Sequence, residues 1–206
     1  MKDNKNFERE LPKGHEPTLC INATNAKFGL LFTLASFAVL AVVLFIAIMP
    51  IAINERGSEL WESIFDRYFL NCLVALMGMI IYILLHELTH GMFYKIFTGE
   101  KLTFGMSWSC FYCGVPKIFV YRRAAMISAS APLVIFTVIL LPLTVYLYFV
   151  NLALYLISTV LLGIHLGGCC GDAYVIALLL FRFRDKKTLV RDTGPEQFFF
   201  VPTKNS

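Results

Sequence analysis

His86-Glu87-Leu88-Thr89-His90 sets two imidazoles four residues apart with a carboxylate beside the first. On a helix, positions i and i+4 lie about 40° apart, so both rings leave one face and can share a metal ion. Glu87, between them, is placed to take a proton from an attacking water. The plainer alternative is a pair of satisfied core histidines. Against it, the pattern interrupts a long apolar run, and a strongly polar group in mid-membrane costs about 2.5–3.5 kcal/mol. Three such groups within five residues point to a metal. Two histidines leave zinc short of ligands, since a catalytic site takes a third from the protein and keeps one position open. Gly91-Met92-Phe93-Tyr94 follows His90 without a further histidine in helical register, so that ligand must come from elsewhere in the chain.

Asp172 is the only other acid inside an apolar run. Leu88, midway between the histidines, lies nine residues from the inner end of its run, and Asp172 lies nine from the inner end of the last run. Both therefore sit about 14 Å deep at about 1.5 Å per residue. His165 and Cys169 share a helical face with Asp172 and stay open as alternative ligands, His165 lying about 10 Å further out. Gly163, Gly167, Gly168 and Gly171 would let this helix pack closely on the one that bears the histidines. In Ser128-Ala129-Ser130-Ala131-Pro132 the proline has no N–H, which leaves the carbonyl of Ser128 without its helical donor. Backbone exposed in this way could hold an extended peptide, so Ser128, Ser130 and Pro132 are candidate substrate-binding residues, with a plain proline kink as the alternative.

Two further patterns carry less. Cys110 and Cys113 have CxxC spacing, but one pair cannot complete a four-ligand structural zinc site, and thiols stay reduced on the cytoplasmic side. Asp192-Thr193-Gly194 has the form of the aspartic protease triplet, yet it follows Val190-Arg191 in a basic tail and has no second copy.

The elements that must position these residues are membrane spans. The 206 residues are 58% hydrophobic and 16% charged, against roughly 25% charged in soluble domains. A net charge of +4, scattered over ends and loops, excludes a nucleic-acid face. Residues 28–53 carry no charge, and about 20 apolar residues are enough to cross the hydrocarbon core. Further runs cover about 68–97, 125–150 and 152–181, with Asn151 alone between the last two. Short loops rich in Lys and Arg stay cytoplasmic. Fifteen such residues lie in the N-terminal tail (1–27), the 98–123 loop and the C-terminal tail (from 182), against Arg56 and Arg67 on the other side, which puts both tails inside. The 98–123 loop alternates aromatic and small residues around Gly105 and Gly114 and reads as a short β-hairpin. The expected fold is an all-α integral membrane protein, a single domain over 1–206 with four transmembrane helices and polar tails.

HELTHG in one span, the Ser-Ala-Pro segment in the next, Gly171-Asp172 in the last, and an Arg191-Asp192-Thr193-Gly194 tail ending in Phe200-Val201-Pro202 together resemble a bacterial family of zincin-type membrane peptidases. That family is in turn similar to the site-2 proteases, which are intramembrane zinc metalloproteases. The resemblance covers the chain from about residue 65 onward. It implies zinc ligands at His86, His90 and Asp172, a catalytic Glu87, and a place in the bacterial cytoplasmic membrane. Site-2 proteases usually carry an Asn-Pro-x-x-Asp-Gly motif around the aspartate. Here Gly167-Gly168-Cys169-Cys170-Gly171 precedes Asp172 and Ala173 follows it.

These readings lead to a zinc metalloendopeptidase acting on membrane segments or membrane-proximal peptides within the bilayer. The rival is a catalytically silent zinc-binding membrane protein that senses or scaffolds. Metal or proton transport would need an unbroken polar line across the membrane, for which the outer halves of the last two spans offer few groups. Oligomeric state is not legible in the sequence.

Overall fold

The computed structural model describes residues 6–106 and 111–203. Four stretches are long and apolar enough to cross a membrane: Ala26–Ile53, Tyr68–Thr98, Arg122–Val150 and Leu152–Arg182. Their limits agree with the apolar runs to within three residues. In chain order the helices are α1 (Ala26–Ile53), α2 (Gly57–Asp66), α3 (Tyr68–Thr98), α4 (Arg122–Val150), α5 (Leu152–Gly168) and α6 (Cys170–Ala177). The fourth stretch is thus not one helix. It breaks at Cys169, whose N–H points at the carbonyls of both His165 and Gly167, and it ends in a wider π-turn at Leu178–Arg182. At the sharp turn between α4 and α5, Asn151 caps the new helix by accepting from the Leu154 N–H at 2.9 Å, which satisfies one of the donors that every helix start leaves open.

Two compact units emerge. The first comprises Phe32–Leu84 and Leu133–Cys170. Here α1 buries only Ile51 and turns leucines, valines and phenylalanines outward, as a lipid-facing helix does. The glycine stripe of α5 serves α1 and not the histidine helix as expected from the sequence. A Cβ at Gly167 would lie 2.8 Å from the Ser36 carbonyl oxygen, and one at Gly163 2.5 Å from a Leu40 methyl. The missing side chains bring the backbones close enough for Ser36 Oγ to donate to Gly167 O at 2.7 Å.

The second unit comprises Met1–Leu31, Leu85–Pro132 and Gly171–Ser206, and it corrects the all-α expectation. Both tails form strands: β1 (Phe7–Glu8) and β2 (His15–Asn22) before the first helix, β6 (Leu189–Asp192) and β7 (Glu196–Pro202) after the last. With β5 (Phe119–Tyr121) they make a five-stranded antiparallel sheet in the order β1-β5-β6-β7-β2. The β2–β7 ladder runs from His15 opposite Pro202 to Asn22 opposite Glu196, with a slip between Pro17 and Leu19, where proline has no N–H for the ladder. The sheet buries Val120, Leu189, Val190 and Phe199 almost completely. Phe183 stacks on Phe199 with centroids 5.0 Å apart, and the small Ala124, Ala125 and Ala129 of α4 join the same core. The expected hairpin of the 98–123 loop is present as β3 (Thr103–Met106) paired with β4 (Phe111–Gly114). Its tip, with Cys110, lies outside the described residues.

Candidate metal centre

Every fourth residue of α3 toward its C-terminal end is buried: Tyr82, His86, His90, Tyr94 and Thr98. Such an i, i+4 stripe is the face a helix turns to its neighbours. Two rungs of it are the histidines, whose rings stand 5.0 Å apart at 79°. The helix break at Cys169 places Asp172 in the first turn of α6, where a carboxylate suits the positive end of the helix dipole. Asp172 Oδ2 lies 3.5 Å from His86 Nε2 and 3.4 Å from His90 Nε2, and all three ligand atoms fall within 4.8 Å of one another.

The donor chemistry fits a divalent cation on three counts. Pro132 cannot donate to the Ser128 carbonyl, and that carbonyl accepts from His90 Nδ1 at 2.9 Å instead. A proton on Nδ1 leaves the Nε2 lone pair pointing toward Asp172, the tautomer a metal needs. Two nitrogens and one carboxylate oxygen are ordinary zinc donors, and a tetrahedron with bonds of about 2.1 Å has edges of about 3.4 Å, which matches the two nitrogen–oxygen separations. Finally, among the described residues no Lys or Arg forms an ion pair with Glu87 or Asp172, although buried charge demands a partner. Glu87 is half-buried and within electrostatic reach of His86, His90 and Asp172.

The remaining sequence candidates make contacts of their own. His165 belongs to the other unit, fully buried, with Nδ1 at 2.9 Å from the Tyr82 hydroxyl and Nε2 at 3.0 Å from Thr137 Oγ1. Cys169 Sγ lies 3.7 Å from His165 Nδ1. Ser130 Oγ donates to its own helix at Ile127 O. Ser128 Oγ is fully buried and has no hydrogen-bond partner among the described residues, and Pro132 is fully buried. Burial pushes the Cys113 thiol up to about 12, with Asp192 adding to the shift, so Cys113 is no ready thiolate.

One pairing is not legible in the sequence. Tyr94, one turn beyond His90, donates its hydroxyl to Asp192 Oδ2 at 2.8 Å. Tyr94 continues the histidine stripe, whereas nothing in the spacing of Arg191-Asp192-Thr193-Gly194 points to a partner 98 residues earlier. Burial pushes the Asp192 carboxyl up to about 6, against the pull of the Gly194 N–H and the Tyr94 hydroxyl.

No curated protein and no solved structure matches the chain. Residues 79–187, more than half of the 206, match the family described as "Putative zincin peptidase", a range that takes in His86, Glu87, His90, Ser128 and Asp172. With the spans, the histidine pair and the facing carboxylate already in place, that match assigns the chain: it belongs to the "Putative zincin peptidase" family.

Proposed function

We propose that the chain is a multi-pass membrane zinc endopeptidase that cleaves membrane segments or membrane-proximal peptides, with His86, His90 and Asp172 holding zinc and Glu87 as its acid/base. The observation that carries this reading is the pair of separations, 3.4 and 3.5 Å, from Asp172 Oδ2 to the two imidazole nitrogens. When bound, zinc supplies a Lewis acid that polarises the scissile carbonyl and acidifies the attacking water. Glu87 takes the proton of that water as it attacks and hands it to the leaving amine. The Ser128 carbonyl keeps His90 in the metal-binding tautomer, and the Ser128 hydroxyl, without a partner among the described residues, is a polar contact for water or a peptide backbone. Because α3 and α6 carry the site within apolar stretches, hydrolysis takes place within the bilayer. The Lys and Arg distribution supports the cytoplasmic side for this end of the spans, and the family resemblance supports a bacterial cell membrane.

Metal analysis and cleavage assays on purified protein test the reading. The expected result is about one zinc per chain, lost in His86→Ala and His90→Ala, whereas Glu87→Gln keeps zinc and loses cleavage of a membrane substrate. Zinc retained in the histidine double variant sinks the metal site. Cleavage surviving in Glu87→Gln sinks the mechanism, and zinc binding with no cleavage by the unaltered protein favours the silent zinc binder.

A further inference from the structure

Asp192 lies beyond the matched range, at the end of β6 where the chain turns into β7. It is 4% exposed, yet among the described residues the groups that bond its carboxylate are neutral. Oδ2 accepts from the Tyr94 hydroxyl at 2.8 Å and from Gln197 Nε2 at 3.2 Å, and Oδ1 accepts from the Gly194 N–H at 2.8 Å. Among the described residues no Lys or Arg pairs with it. A buried carboxylate among neutral donors keeps an uncompensated charge, which a protein interior tolerates poorly.

The turn is also seated firmly. The Asp192 carbonyl accepts from the Val115 N–H at 2.8 Å. A Cβ at Gly114 would lie 2.5 Å from the Gly194 nitrogen and 2.9 Å from the Asp192 oxygen, so only glycine lets the two segments approach this closely. Gly194 itself has φ +101°, a conformation that favours glycine. On the other side Tyr94 is 4% exposed, and its carbonyl accepts from Thr98 Oγ1. The carboxylate is therefore held from α3, β7 and its own turn, while Val115 and Gly114 seat the backbone that carries it, and its contact on α3 is the rung next to His90.

We propose that Asp192 is a positioning residue for the metal centre: through Tyr94 it fixes the turn of α3 that presents His90, and its buried charge favours a divalent cation over an empty site. This rests on the zinc reading above and adds a role for a residue outside the ligand set. The link is mechanical and electrostatic. The Tyr94–Asp192 bond limits rotation of the last turns of α3 about the helix axis, and the charge lies in the same unit as the three ligands.

The test is zinc affinity of the full chain in detergent, measured by competition with a chelator, together with the visible spectrum of the cobalt(II)-loaded protein. Tyr94→Phe keeps the ring in the core and Asp192→Asn keeps the shape, so if one variant fails to fold the other still carries the test. Both are expected to weaken zinc, within about 10–100-fold, and to shift the cobalt bands. Asp192→Asn should lose the more, because charge goes along with the hydrogen bond. Since one residue acts through the other, the double variant should lose no more than Asp192→Asn alone. Unchanged affinity and spectrum in both single variants, even with reduced thermal stability, overturn the proposal, and so do strictly additive losses. If His90→Ala also leaves zinc binding intact, the zinc reading itself has failed; if His90→Ala empties the site while the two variants bind normally, only the positioning role has.

Discussion

Pro132 acts here as a switch between hydrogen-bond partners. Placed four residues after Ser128 in α4, it withholds the donor that any other residue would offer, and the freed carbonyl turns to His90 Nδ1 at 2.9 Å. Pro132→Ala restores that donor and sets backbone and imidazole in competition for one oxygen. The expected outcome is zinc affinity about tenfold weaker with the helical circular dichroism unchanged, as for loss of an outer-shell partner of a ligand. Unaltered affinity in a chelator titration would show that His90 keeps its orientation by other means. The orphan carbonyl was legible in the sequence, because one residue type creates it; its partner was not, because His90 lies 38 positions away on another helix. The histidine pair was legible for the opposite reason, since i, i+4 spacing on a helix is itself a statement about space. Asp172 came within reach through depth, which the bilayer imposes on helices independently, and through the family resemblance.

At the scale of elements, the spans announced themselves by length and charge, and the sheet did not. Its strands run from two to eight residues, and its longest ladder joins His15 to Pro202, a pairing that local patterning does not encode. Gln197-Phe198-Phe199-Phe200-Val201 is apolar enough for a strand, but the basic stretch before it reads as a solvated tail. The sheet nonetheless holds the core of its unit. Phe199 is fully buried against Phe183, so Phe199→Ala should cost about 3–5 kcal/mol. Hydrogen exchange should then lose protection across β2, β6 and β7 together, because the aromatic side chain is shared by the strands it packs under. Loss confined to β7 would mean that the strands open one by one.

At the scale of the molecule, the pairing of β2 with β7 requires both tails to lie on one side of any membrane the helices cross, and an even number of spans delivers them there. By the positive-inside rule, the fifteen-to-two distribution of Lys and Arg predicts that side to be the cytoplasm. A reporter fused after Ser206 should therefore read as cytoplasmic. One inserted at Gly57, where nothing lies within 4 Å of a Cβ, should read as external, and two cytoplasmic signals would break the four-span arrangement. The same tail-to-tail sheet has a bearing on biosynthesis. Strand β2 is made before the first span and β7 after the last, and Asp192 follows Tyr94 by 98 residues. A ribosome thus delivers the histidine pair early and its clamp late, with long-range pairing as the slow step. The unit that brings His86, His90 and Asp172 together can close only after β7 has been made, when all four apolar stretches have already left the ribosome, so the residues of the proposed site would enter a bilayer still apart.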